Sequence, residues 1–127
     1  MKTETILIVE DEPSEMQALS DKFSLEGFSV IKAANGEEGL TTALEKHPDL
    51  ILVDLIMPVM DGATMIKELR KDTWGKRVPV IVLTNVETDC KSMKEMVKER
   101  NCRCYLIKSS WKISDIVARA KKELGMA

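Results

Sequence analysis

Five short strand-like runs recur along the chain, and each is followed by a segment with helical spacing. The runs lie at 6–9, 28–33, 50–53, 78–83 and 102–107. The first and third runs are apolar on both faces, which is typical of strands buried on both sides of a sheet. Alternating strand and helix units predict a parallel sheet that carries helices on both of its faces.

The segments between these runs carry ordinary helix signals. Helices are predicted from Pro13 onward and over 39–46, 63–70, 87–100 and 112–124. Asn35-Gly36 is predicted as a turn, and Asp61 is expected to cap the third helix. The apolar stripe of the second helix is predicted to be Leu40, Ala43 and Leu44. We therefore expect an α/β fold, a single (βα)5 domain over 1–127 that is doubly wound around a five-stranded parallel sheet.

Composition excludes several classes of protein. The chain has 127 residues, which fits one domain with a real core. A formal net charge of −2 gives no field for nucleic acid or a membrane surface. No apolar run reaches the ~18 residues of a membrane span, and the first residues lack the features of a signal peptide. The three cysteines are an odd number without framework spacing, which favours a reducing cytoplasm.

Chemically capable side chains follow the strands at their ends. Glu10 and Asp11 follow the first strand, Asp54 the third, Thr84 the fourth and Lys108 the fifth. The carboxyl ends of parallel strands form the edge where open α/β sheets bind ligands. Carboxylates crowded at that edge repel, so either their pKa values rise or a cation sits among them. Oxygen ligands suit Mg²⁺, whereas a hydroxyl and a mobile ammonium suit phosphate oxygens.

Four segments in this order resemble one family. They read Ile-Leu-Ile-Val-Glu-Asp-Glu at 6–12, Asp-Leu-Ile-Leu-Val-Asp-Leu-Ile-Met-Pro-Val-Met-Asp-Gly at 49–62, Val-Pro-Val-Ile-Val-Leu-Thr at 78–84 and Tyr-Leu-Ile-Lys at 105–108. Together they resemble the CheY-like response-regulator receiver domain, the phosphoaccepting half of two-component signalling. The resemblance covers essentially the whole chain and implies a flavodoxin-like strand order, 2-1-3-4-5, in which the first and third strands are neighbours.

The resemblance implies a phosphoacceptor and a metal site. Asp54 would take a phosphoryl group from a histidine kinase or a phosphotransfer protein and form an acyl phosphate. Asp11 and Asp54 would bind Mg²⁺ directly together with the backbone carbonyl of Ile56, and Glu10 would bind it through water. The chain would catalyse its own phosphorylation and would act otherwise as a signalling protein rather than as an enzyme.

The resemblance also implies a switch. Lys108 and Thr84 would bind phosphoryl oxygens, and Tyr105 would rotate inward as Thr84 moves; a half-buried strand residue without a switching role is the alternative for Tyr105. The fourth predicted helix, the fifth strand and the fifth predicted helix would form the surface read by an unknown protein target. We expect no output domain, no direct nucleic-acid binding, no membrane contact, and a monomer or a weak phosphorylation-dependent dimer.

The sequence departs from the family pattern at three places. Ser109 stands where the family usually has a proline, and Asn85 stands where a very small residue usually follows the threonine. Ile56 and Val86 are apolar at positions where fast-dephosphorylating members carry polar groups. Apolar side chains at Ile56 and Val86 predict a phosphorylated state that decays slowly.

Three other functions compete with the receiver. A Mg²⁺-dependent phosphatase of the haloacid-dehalogenase type needs a second aspartate two residues after the nucleophile, where this chain has Ile56. A flavodoxin-like FMN binder needs a phosphate-cradling loop after the first strand, but Glu-Asp-Glu-Pro at 10–13 would repel phosphate. A degenerate receiver that binds partners without phosphorylation is opposed by the intact Asp54 and Lys108, although Asn85 leaves it open.

Overall fold

The computed structural model of the protein describes residues 3–55, 57, 59–84, 104–108 and 111–126. Within them the strands are β1 (Thr5–Val9), β2 (Ser29–Ala33), β3 (Leu50–Asp54), β4 (Val80–Thr84) and β5 (Cys104–Ile107). The helices are α1 (Pro13–Leu25), α2 (Gly36–Lys46), α3 (Gly62–Leu69) and α4 (Ile113–Glu123). Helix α4 corresponds to the fifth predicted helix, because the helix predicted over 87–100 lies outside the described residues.

The strands form one parallel sheet in the order β2-β1-β3-β4-β5. Val9 of β1 is in register with Val53 of β3, so the residues that follow these strands meet at one edge. Thr84 of β4 is in register with Ile107 of β5, which brings the end of β5 to the same edge. The predicted fold class and the strand order implied by the resemblance are both confirmed.

Successive strand residues enter two separate hydrophobic cores. The first core, on the side of α2 and α3, contains Leu7, Val9, Ile51, Val53, Val80 and Val82. The second core, on the side of α1 and α4, contains Ile6, Ile8, Leu50, Leu52, Ile81 and Leu83. This alternation follows from the period of two along a strand, and both faces are apolar because helices cover both. Trp74 packs against the first core and Trp111 against the second.

Helix α2 begins three residues before the predicted start, at Gly36. Asn35 is its N-cap, since the Asn35 Oδ1 atom accepts a hydrogen bond of 2.9 Å from the Glu38 amide. Glu38 Oε2 in turn accepts a bond of 3.3 Å from the Ala34 amide. These residues therefore cap a helix, and the turn predicted at 35–36 is the N-cap and first residue of α2.

The predicted stripe of α2 is wrong at Leu44, whose exposed fraction is 37%. The buried face of the helix consists of Gly36, Gly39 and Ala43, with Leu40 only partly buried. Small residues at this spacing bring α2 close to the sheet, and Leu44 falls on the flank of that face. The prediction followed hydrophobicity and overlooked the glycines as the residues in contact.

Helix α3 begins very close to the end of β3. Asp61 caps it as predicted, since its Oδ1 atom accepts a bond of 2.7 Å from the Thr64 amide. The Gly62 amide donates to the carbonyl of Leu55 over 2.9 Å. A Cβ on Gly62 would collide with the carbonyl oxygen of Asp54 and would lie 3.0 Å from Leu55 Cα. A side chain at Gly62 is therefore incompatible with the present position of Asp54.

A second close approach follows α3, in the loop that leads to β4. A Cβ on Gly75 would collide with the carbonyl oxygen of Leu69 and lie 3.0 Å from its carbonyl carbon. The Arg70 guanidinium fixes this loop by donating to the carbonyls of Gly75 and Val78 over 2.6 and 2.7 Å. This loop precedes β4 and so lies at the opposite end of the sheet from Asp54.

Two further contacts complete the fold. The His47 and Trp74 rings stack with their centroids 4.2 Å apart. Lys121 of α4 forms an ion pair of 2.9 Å with Glu26, which follows α1.

Among the described helices, none combines the length and the apolar character needed to cross a membrane.

Candidate functional site

Three carboxylates meet where β1 and β3 end side by side. Oxygens of Glu10, Asp11 and Asp54 all lie within 4.8 Å of one another. Glu10 is buried, the Asp54 side chain is 12% exposed and Asp11 is exposed. The register of Val9 with Val53 brings the carboxylates together, because Glu10 follows Val9 and Asp54 follows Val53. The predicted acidic cluster therefore exists, with one carboxylate at its solvent side.

Lys108 enters the same cluster from the end of β5. Its Nζ atom donates to Glu10 Oε1 over 2.5 Å, to Glu15 Oε2 over 2.6 Å and to Asp54 Oδ2 over 3.3 Å. The Lys108 side chain is only 13% exposed. An ammonium group has three donors, and all three are directed to carboxylates here. The lysine expected to bind phosphate oxygens is thus close to Asp54, but its two shorter hydrogen bonds go to Glu10 and Glu15.

Glu15 is the member of the site that sequence reasoning missed. It lies in the first turn of α1, and its side chain is 40% exposed. An acidic residue in a first helical turn is ordinarily explained by the helix dipole, so its residue type offered no separate reason to select it. The available signal was that α1 follows Glu10 almost directly, which places its first turn over the ends of the strands.

Burial and hydrogen bonding shift the pKa values in this cluster. Burial raises the pKa of Glu10 to about 9, and hydrogen bonds with Glu15 and Asp54 act in the same direction. Hydrogen bonds with Glu10 and Lys108 lower the pKa of Glu15. Burial alone would lower the pKa of Lys108, but its hydrogen bonds with Glu10 and Glu15, together with the charges of Asp54 and Glu10, outweigh burial and raise it. The repulsion expected among the carboxylates is reduced by the raised pKa of Glu10 and by the Lys108 ammonium. The predicted metal ion stays a prediction.

Thr84 and Tyr105 lie on the two strands beyond Asp54. Thr84 is fully buried at the end of β4, one residue after Leu83, the partner of Asp54 in the sheet. Tyr105 is half-buried beside Val82 and packs against the first core. By the alternation along a strand, Thr84 lies on the same face of the sheet as Val82 and Tyr105. Their predicted roles in switching stay predictions.

Four residues singled out in the sequence lie outside the described residues. They are Ile56, Asn85, Val86 and Ser109. The carbonyl ligand predicted at Ile56 and the departures from the family pattern at the other three positions stay predictions from residue type.

A cavity of about 250 Å³ adjoins Lys108 between α1 and α4. Its walls are mainly apolar and include Leu19, Trp111 and Ile116, whereas Glu15 and Lys108 border it with charged groups. The cavity gives the Glu15 side chain free space beside its ion pair.

The sheet and this site define a doubly wound α/β protein with acidic residues and a lysine at the carboxyl edge of its strands. Comparison with known families agrees with this class, since the response regulator receiver domain matches residues 6–121. The chain belongs to the response regulator receiver family.

Individual relatives have similar length. Protein PilH of Pseudomonas aeruginosa is 37% identical over 103 residues, which cover 81% of this chain and 84% of that protein. The polar-differentiation response regulator DivK of Brucella ovis is 33% identical over 106 residues, covering 84% and 85%. The receiver domain of sensor histidine kinase PA1611 from Pseudomonas aeruginosa, solved with a magnesium ion coordinated in its active-site cleft, has a TM-score of 0.85. It is 27% identical and covers 98% of this chain and 99% of that chain.

Proposed function

We propose that this chain is a phosphorelay receiver that accepts a phosphoryl group on Asp54 and signals through the resulting change in conformation. The observation that carries the proposal is the position of Asp54, within 4.8 Å of two other carboxylates and 3.3 Å from the Lys108 ammonium. A carboxylate needs both a cation-binding neighbourhood and a nearby positive group to approach a phosphoryl anion. Membership of the receiver family supports the same function.

Asp54 is the proposed nucleophile. One of its oxygens would form a bond to phosphorus while the bond between phosphorus and the imidazole nitrogen of a phosphohistidine breaks, and the imidazole keeps that electron pair. The donor is a histidine kinase or a phosphotransfer protein. Asp54 is only 12% exposed in its side chain, so the acyl phosphate would form in a partly enclosed crevice.

The donor atoms of the site fit Mg²⁺. Asp11 and Asp54 would bind the ion directly with the Ile56 carbonyl, and Glu10 would bind it through water, since Mg²⁺ prefers oxygen ligands and retains waters. Bound there, Mg²⁺ would neutralise charge on the phosphoryl oxygens. Exposure of Asp11 gives the ion a route from solvent. The magnesium ion in the PA1611 receiver supports this assignment.

Lys108 and Thr84 would recognise the phosphoryl group once it is attached. A phosphoryl group adds about −1.5 to −2 charges, which attracts the Lys108 ammonium away from its carboxylate partners. Thr84 would donate a hydrogen bond from its hydroxyl group to a phosphoryl oxygen, and the half-buried Tyr105 would follow it inward. The surface of β5, α4 and the helix predicted over 87–100 would present the change to a protein target.

The proposed setting is the cytoplasm, with the kinase or phosphotransfer protein and one downstream protein as partners. No nucleic-acid or membrane contact is proposed, because the net charge is only −2. The chain would be a monomer or a weak dimer that depends on phosphorylation. Apart from its own phosphorylation and a slow loss of phosphate, no enzymatic activity is proposed.

Mass spectrometry after incubation with acetyl phosphate and Mg²⁺ tests the proposal. One phosphoryl mass should be gained by the wild type and by Asp21→Asn, a control on the exposed part of α1. Asp54→Asn and Asp11→Ala should gain none. Equal labelling of Asp54→Asn would show that the acceptor lies elsewhere, and no labelling of any variant would favour a degenerate receiver that binds partners without phosphate.

A further inference from the structure

The distribution of the Lys108 hydrogen bonds is unequal. The two shortest go to Glu10 and Glu15, at 2.5 and 2.6 Å, whereas the bond to Asp54 is 3.3 Å long. A phosphoryl group on Asp54 needs the same ammonium. Lys108 must therefore loosen at least one carboxylate contact before it can neutralise the incoming group.

We propose that Glu15 is a positioning residue that holds Lys108 back from Asp54 in the unphosphorylated protein and thereby slows phosphoryl acceptance. The inference rests on the proposed function of Asp54. Glu15 acts through the Lys108 ammonium and makes no contact with the phosphoryl group in this scheme. It adds to the site a residue that the pattern of strand ends does not contain.

Glu15 rather than Glu10 is the partner whose contact with Lys108 can break at low cost. Glu10 is 3% exposed, and its second oxygen accepts a hydrogen bond of 3.1 Å from the Asp11 amide. A buried oxygen that loses its hydrogen-bond donor has no water to replace it, which is costly. Glu15 is 40% exposed and borders the cavity between α1 and α4, so its carboxylate can turn into water when Lys108 departs. The Glu15 contact is thus the one whose strength sets the availability of Lys108.

Two variants separate the contact from the charge. Glu15→Gln removes the negative charge and weakens the hold on the ammonium. Glu15→Asp keeps the charge but is one methylene shorter, so its carboxylate falls short of Lys108. Asp21→Asn is the matched control, because it removes one carboxylate from the same helix, where that carboxylate accepts a hydrogen bond from Gln17 and not from the lysine.

The rate of phosphoryl mass gain is measured with acetyl phosphate at saturating Mg²⁺. Glu15→Gln and Glu15→Asp should both be labelled about two- to fivefold faster than the wild type, the range for an ion pair with one well-exposed partner. Asp21→Asn should match the wild type. In the unphosphorylated proteins, the ¹³Cε resonance of Lys108 should move in both Glu15 variants and stay in place in Asp21→Asn.

The outcomes distinguish this inference from the function on which it rests. If the wild type gains no phosphoryl mass, the proposed function fails and the inference falls with it. If the wild type is labelled and the Glu15 variants are no faster than Asp21→Asn, the receiver function stands and the restraint by Glu15 is wrong. Acceleration in Glu15→Gln alone would also overturn it, because charge and not contact would then control the rate.

Discussion

Replacing Gly62 with alanine should damage the site through the backbone alone. The added Cβ would collide with the Asp54 carbonyl oxygen and lie 3.0 and 3.2 Å from Leu55 Cα and the Asp54 carbonyl carbon, where ordinary contact begins at 3.4 Å. All three atoms belong to the backbone, so no side chain can turn away. Either β3 or α3 must move by at least several tenths of an ångström.

The cost can be set from these contacts. Overpacking of this kind costs about 1–3 kcal/mol, and the helix propensity of alanine returns at most about 1 kcal/mol. With an unfolding entropy of roughly 2.1 cal/mol/K per residue, 127 residues give about 0.27 kcal/mol/K. A net loss of about 1–2 kcal/mol then lowers Tm by about 4–8 °C. Displacing the nucleophile should slow phosphorylation about tenfold, since a 1 Å misplacement can cost about a hundredfold.

Gly75→Ala is the matched control. Its Cβ would meet the Leu69 backbone with contacts of the same severity, but at the other end of the sheet. Thermal unfolding by circular dichroism and labelling by acetyl phosphate are measured on both variants. Both should lose stability, and only Gly62→Ala should lose labelling rate at a temperature where it is folded. Wild-type labelling of a destabilised Gly62→Ala protein would refute the link between this close approach and the position of Asp54.

Other parts of the chain carry three further predictions. Mg²⁺ at a hundredfold above its Kd should add about 2.7 kcal/mol of stability, a Tm increase of roughly 10 °C, and Asp11→Asn should abolish it; an equal increase in both would place the ion elsewhere. Hydrogen bonding, foremost with Lys121, lowers the pKa of Glu26. The ionised Glu26 side chain therefore stabilises the folded protein above its ordinary pKa of 4.5, and this contribution is lost as the pH falls through the lower pKa of the folded state. The Tm difference between wild type and Glu26→Gln should therefore close in acid, and a difference that is constant with pH would contradict it. Ile56→Asn and Val86→Glu should each accelerate the decay of phosphorylated protein after donor removal; if the wild type already decays as fast as the double variant, exclusion of water by these apolar residues is wrong.

The strand pattern was sufficient to predict the α/β class and the edge at which the site lies, whereas the strand order came from the resemblance to the receiver family. Buried strands leave short apolar runs, and their ends mark one edge of a parallel sheet, so Glu10, Asp54 and Lys108 could be placed at that edge from the amino-acid sequence. That Glu10 and Asp54 are neighbours followed only from the strand order that the resemblance implied. Features that depend on local backbone geometry were harder to predict. The start of α2 was missed because Asn35-Gly36 is equally typical of a turn and of a helix cap.

The contact between Glu15 and Lys108 could not be predicted for another reason. The two residues are 93 positions apart, and their meeting depends on how α1 packs beside the end of β5. An acidic first helical turn looks the same whether its carboxylate faces water or a lysine. The raised pKa of Glu10 likewise depends on burial that only the packed helices provide.

The separation of the two cores provides the protein with its own pair of optical reporters. The sequence contains two tryptophans, and the sheet lies between them, with Trp74 against the first core and Trp111 against the second. Trp111 also borders the cavity beside Lys108, whereas Trp74 stacks on His47. Trp74→Phe and Trp111→Phe would each leave one fluorophore, so that the emission of each variant follows one face of the sheet. Movement of Lys108 should then be visible as a change in emission from Trp111 while Trp74 reports the opposite face in the same buffer.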